Sequence, residues 1–172
     1  EIIAITDHNS VENALAVMES ARNCDLTVIP GIEVTTSEEV HIIGLFEKID
    51  QAREMQAIVY ENLQEGTNDE DLFGMQVVAN DCDEVEGINS RLLIGATALP
   101  VHEVVNAIHG LNGLAMAAHI DRERFSIIGQ LGFIPDDLEL DALEISWRLP
   151  LEQARARFRE YERFAFIHSS DA

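Results

Sequence analysis

Short apolar runs that stop abruptly at an ionisable residue are the feature that most constrains this chain. Ile5-Thr6 runs into Asp7-His8, Ile29 leads through Pro30-Gly31-Ile32 to Glu33, and Ala117-Ala118 runs into His119. Phe166-Ile167 runs into His168-Ser169-Ser170-Asp171, whereas His41 opens its run instead of closing it. Between the runs lie segments of helical period, and strands alternating with helices imply a mostly parallel sheet covered by helices. A closed parallel barrel gathers the C-terminal ends of its strands on one face, so side chains distant in sequence would converge there. Ionisable groups at buried strand ends need compensation for their desolvation, and a metal ion supplies it well.

The spacing predicts strands at Ile2–Thr6, Leu26–Ile29, His41–Phe46, Leu114–Ala118, Ala142–Ile145 and Phe164–Ile167, with Ile32–Thr35 a further extended segment. Asn9-Ser10 reads as an N-cap pair for a helix ending near Asn23, and further helices are predicted over Ile49–Leu63, Val101–Ile108, Phe125–Leu131 and Leu151–Arg163. Residues 61–100 break this rhythm, with an acidic loop at Glu65–Asp71 and a hairpin of Gln76–Ala79 with Glu84–Ile88, and read as an insertion on one domain. Ile2–Thr6 reads as a buried strand already under way, from which we expect that a preceding segment exists.

Charge bears on the partners. Lys and Arg total 11 against 32 Asp and Glu, a net charge of −21, which would repel a phosphate backbone at long range and disfavour long nucleic acid. Any phosphate must then be held by a strong local feature. Cys24 and Cys82 lie outside metal or redox spacings and read as reduced thiols of a cytoplasmic protein. No apolar run approaches the ~20 residues of a membrane span.

Taken singly, a histidine is far more often structural than a ligand. His102 and His109, seven apart on one helical face, read as structural or surface residues. His8, Glu33, His41, His119 and Asp171 form a different group, each at the edge of an apolar run and of a type that suits Zn, Mn or Fe. Periodicity alone supports a metal centre and a polar barrel rim equally. Arg122, three residues after His119, is the candidate phosphate holder through charge-assisted hydrogen bonds, with an ordinary salt bridge as the alternative and Arg124 a weaker competitor.

Ile5-Thr6-Asp7-His8-Asn9, Pro30-Gly31-Ile32-Glu33-Val34, His41–Phe46, Ala118-His119-Ile120-Asp121-Arg122 and Ser169-Ser170-Asp171-Ala172 occur in order. Together they resemble the polymerase and histidinol phosphatase (PHP) superfamily of metal-dependent phosphoesterases, in particular its small stand-alone members. The resemblance implies an α/β fold, a distorted (β/α)7 barrel with up to three divalent metals at the strand ends. It implies metal ligation by His8, Glu33, His41, His119 and Asp171, with Glu33 bridging two ions. It further implies catalytic roles for Asp7, Glu33 and Arg122, and phosphate contacts from Arg122 and Ser170. The His-x-His of the family's first strand and the His of its closing Asp-x-His have no counterpart here. An incomplete barrel missing its first strand, by truncation, is therefore the expectation, with a metal-poor site.

The function these residues point to is hydrolysis of a small phosphate ester by metal-activated water. A non-catalytic metal-binding or regulatory module is the alternative. A metal hydrolase of C–N bonds in a similar barrel ranks below both.

Overall fold

The structure, a computed structural model, describes residues 1–170 of the 172-residue chain. In chain order, β1 (Ile2–Ile5) is followed by α1 (Ala14–Ser20), β2 (Thr27–Thr35), β3 (His41–Leu45), α2 (Ile49–Asn62) and α3 (Glu70–Phe73). Then come β4 (Val77–Ala79), β5 (Val85–Ile88), α4 (Val101–Gly110), β6 (Leu114–Ala117), α5 (Ile127–Leu131), β7 (Ala142–Ser146), α6 (Leu151–Arg157) and β8 (Ala165–Ser169). Six strands form one sheet in the order β1-β2-β3-β6-β7-β8, and β4 pairs with β5 apart from it.

The sheet is mixed, which corrects the expectation of a parallel one. β3 runs antiparallel to both β2 and β6, while β1-β2, β6-β7 and β7-β8 are parallel. The cause is chain length: residues 36–40 alone join β2 to β3, and a parallel crossover needs a dozen or more. The sheet curls as a half-barrel; among the described residues β1 and β8 are its two edges, so the closed seven-stranded barrel is not seen.

Strand character varies with position in the sheet. β7 is buried along its whole length, as is β3 up to its last residue, because helices and loops cover the centre on both sides. Ala52, Met55 and Val59 of α2 and Val104, Val105 and Ile108 of α4 belong to the same core as Ile32, Val34, Ile42, Leu143 and Ile145. The expected burial of β1 does not hold: Ile2 is 69% exposed, because an edge strand has a neighbour on one side alone.

β2 passes straight through Pro30-Gly31, where a break was expected. Pro30 has no N–H to donate, but its carbonyl still joins the sheet by accepting from Phe46 N at 2.9 Å. Gly31 is required by close approach, as a Cβ would lie 2.7 Å from the Gly44 carbonyl oxygen. The Asn9-Ser10 cap is also corrected, since α1 begins at Ala14. Asn9 is buried with φ 52° and its amide donates to the Leu93 and Gly95 carbonyls, both at 2.8 Å. The last helix breaks after Arg157 into a 3-10 turn at Arg159–Tyr161.

The hairpin of the 61–100 segment forms as expected, in β4 and β5. Asn13 fastens it, donating to the Val77 carbonyl and accepting from Ala79 N, both at 3.0 Å. Asn89 donates to Glu12 Oε2 and Tyr60 Oη, both at 2.8 Å.

Candidate metal centre

The hairpin between β2 and β3 explains why His41 opens its run. In an antiparallel strand the first residue stands beside the last residue of its neighbour, and Thr35 pairs with His41. Glu33 bridges to His8 just beyond β1, and His119 follows β6, so four of the candidates meet at one rim.

Glu33 is the hub. Its Oε2 lies 3.0 Å from His8 Nδ1, and its Oε1 lies 3.3 Å from His41 Nδ1 and 3.5 Å from His119 Nε2. The His41 and His119 nitrogens are 3.3 Å apart. One ligand atom from each of His8, Glu33 and His41 falls within 4.8 Å of the other two. On its far side, His8 Nε2 is 2.9 Å from Thr35 Oγ1, which fixes the ring and turns Nδ1 toward Glu33.

Burial pushes the Glu33 carboxyl upward, but hydrogen bonds from His119, His41 and His8 together outweigh it and hold the group far below the usual carboxylate range. Burial also lowers His41, against the pull of Glu33, and favours its neutral, lone-pair-bearing form. Asp7 is raised by burial.

The donor set fits a divalent transition ion. Three ring nitrogens facing one carboxylate, two of them also facing each other, are satisfied only by protons or a cation. His119 Nδ1 is buried and has no hydrogen-bond partner among the described residues. Two imidazoles on one carboxylate oxygen, with a third on the other, match the mixed N/O ligation of Zn, Mn or Fe.

Local backbone strain collects here. Asn9, His119 and Phe125 all adopt positive φ, at 52°, 30° and 58°. His119 is held by its N–H donating to Glu144 Oε2 at 2.9 Å. Glu144 was not singled out from the sequence, although an acid inside the apolar run Ala142-Leu143-Glu144-Ile145 is a usable signal. Burial raises its carboxyl, countered by hydrogen bonds from Ser169 Oγ and the His119 N–H. Thr35 was missed as well.

Other candidates lie elsewhere. His102 sits 3.3 Å from Asp137 and His109 2.9 Å from Asp141, both away from Glu33. His168 faces the carbonyls of Ser146 and Leu149, at 3.0 and 2.9 Å. Ser170 is exposed beyond β8, and Asp171 lies outside the described residues. Arg122, Arg124 and Arg148 share a cavity of about 710 Å³ with Glu33, His41 and His119.

No protein-family profile matches this sequence, and no curated protein matches it. Solved structures do. The lesion-specific Endonuclease Q of Pyrococcus furiosus superposes with TM-score 0.67 at 18% identity, over 99% of this chain and 40% of that one. Endonuclease Q in complex with a 27-mer duplex substrate bearing an abasic lesion at the active site gives TM-score 0.70 at 16% identity, over 100% and 40%. A provisionally named metal-dependent phosphoesterase from Bifidobacterium adolescentis gives TM-score 0.62 at 16% identity, over 98% and 76%. The chain thus spans about 40% of the endonuclease chains it resembles.

The fold is therefore shared with Endonuclease Q and with that phosphoesterase, at identities of 16–18%. The charge argument against long nucleic acid is corrected by these neighbours, one of which holds a DNA duplex. Net charge describes the far field, whereas contact depends on the local set, and here three arginines line the cavity beside Glu33 together with Asp121 and Glu123. No helix among the described residues is long and apolar enough to cross a membrane.

Proposed function

We propose that this chain carries a metal-dependent phosphoesterase site, centred on Glu33 and built on the PHP-like scaffold with residues 61–100 as an insertion. The observation that carries the reading is the convergence of His8, His41 and His119 on the two oxygens of one carboxylate. A divalent ion bound there, Zn, Mn or Fe, supplies Lewis acidity toward phosphoryl oxygens and lowers the pKa of water. His8, His41 and His119 donate ring nitrogens, and Glu33 sets their common centre. Asp171, from the resemblance, is a further ligand. Asp7, its carboxyl raised by burial, is suited to hold and pass a proton at the cavity that it shares with His8. Arg122 orients the phosphate, and Ser170 is assigned a supporting contact to it.

The first reading of the substrate is a small phosphate ester. A second, a phosphodiester in DNA, is favoured by the arginine-lined cavity and by the duplex held in a structure of the same fold. The non-catalytic alternative predicts metal uptake with no turnover. Elemental analysis of the purified chain, with a screen of phosphomonoesters and an abasic-site duplex, separates these readings. Glu33→Ala is expected to abolish metal-dependent turnover; unchanged turnover in that variant removes the proposal.

A further inference from the structure

His41 and Phe125 line two cavities that differ in their charged groups. On one side lies the space described above, lined by arginines and acids. On the other, about 510 Å³ opens between His8, His41 and the 61–100 segment, within the range of small-molecule sites. Its wall from that segment is mostly apolar, with Phe73, Val77, Val78, Leu93 and Ile94 beside the polar Gln76 and Asn89. Most of the polar side chains that line it are already engaged in structure, Asp7 beside His8 being the exception. Asn13 is taken up by the backbone of β4, and Asn89 by Glu12, Tyr60 and the N–H of Arg91. Little hydrogen-bonding capacity from these two amides is left for an occupant, and the Asp7 and Glu12 carboxylates on the same lining disfavour an anionic group there.

Phe125 sets the shape of the occupant. Its ring stacks on His41, with centroids 4.7 Å apart and planes 15° from parallel. Its carbonyl accepts from His41 N at 2.8 Å, and its backbone is held at φ 58°, a conformation that a bulky residue rarely takes unless imposed. A flat ring fixed at the edge of the cluster favours a second flat ring beside it. Phe73 and Ile94, 50% and 55% exposed, present apolar surface to the same space without a covering group among the described residues.

We propose that the cavity walled by residues 61–100 receives a flat, uncharged aromatic group of the ester whose phosphate lies at the His8–Glu33–His41 cluster. This rests on the phosphoesterase reading, and it makes the insertion the specificity element of the site. The anionic remainder of the substrate then points toward the arginine side.

Two readouts separate the pocket from the chemistry. The first is the kcat/KM ratio for 2-phenylethyl phosphate over ethyl phosphate, whose leaving groups differ little in basicity. The second is the affinity of fluorescent naphthylmethylphosphonate, which cannot be hydrolysed. In Phe73→Glu and Ile94→Glu, both at half-exposed positions, the ratio is expected to fall tenfold or more and the probe to bind at least tenfold more weakly, with Ile94→Leu retaining both. Equal affinity in the wild type and both Glu variants overturns the pocket, as does failure of the wild type to bind the probe. Probe binding that the variants lose, with neither ester hydrolysed, upholds the pocket and overturns the phosphoesterase reading instead.

Discussion

The rim of the sheet and its outer surface use the same residue type to different ends. At the rim, His8, His41 and His119 turn ring nitrogens toward a single, mostly buried carboxylate. On the surface, His102 and His109 each meet one exposed aspartate, and His168 meets backbone carbonyls. Identity therefore says little about role; how many partners share one acceptor, and how far water is excluded, says more. A surface pair is worth ~0–1 kcal/mol. A buried set of ring nitrogens gathered on one anion is an arrangement whose desolvation cost a cation offsets.

The largest expected effect is on the rim. His119→Ala should lower metal affinity by more than the ~10–100-fold that removing an outer-shell partner costs, read as metal per chain after dialysis against buffered free ion. Retention of full metal content would place His119 with the surface histidines. Thr35→Val, which releases His8 Nε2, should cost ~10–100-fold in the same measurement, and rescue by Thr35→Ser would tie the loss to the hydroxyl. Arg122→Ala should leave metal content intact and lower kcat/KM by ~10–100-fold, equivalent to ~1–3 kcal/mol for a charged hydrogen bond.

The pH dependence of the metal-free chain sharpens the contrast. Glu33 is held below its ordinary value of 4.5, so its contribution to stability is complete above that pH and is lost as pH falls below it. Glu33→Gln should flatten the acid limb of a denaturant-midpoint profile; an unchanged limb would mean that the histidines do not stabilise the carboxylate. Smallest of all, His102→Ala and His109→Ala should each shift stability by ~1 kcal/mol or less and leave metal content unaltered.

Much of this rim was legible in the chain. Apolar runs ending in Asp7-His8, Glu33 and His119 announced strands whose ends meet, and His41 stood out by opening its run. What periodicity could not reveal was direction. The antiparallel setting of β3 follows from the five residues between it and β2, a count that outranked the prior for a parallel sheet. Asn9 misled for a related reason: a residue suited to capping a helix also suits a left-handed turn, and tertiary contacts with Leu93 and Gly95 decided between them. Glu144 was hidden because a single acid in a strand reads as an interruption until its partners are seen. Net charge averages over the whole surface and says nothing of local placement, such as Arg122, Arg124 and Arg148 lining one cavity with Glu33, Asp121 and Glu123.

The turn at residues 36–40 carries a further consequence. Thr36 N donates to the Val40 carbonyl at 2.9 Å, Glu39 N to the Thr36 carbonyl at 3.0 Å, and Val40 N to Thr36 Oγ1 at 3.2 Å. Glu33 and His41 are thereby gauged against each other by a tight local clamp, independent of how far the remainder of the sheet wraps around. One inserted or deleted residue that shifted the register of β3 would turn His41 away from Glu33 and carry Ile42, Ile43 and Gly44 with it, so the cluster and the packing around that strand would fail together.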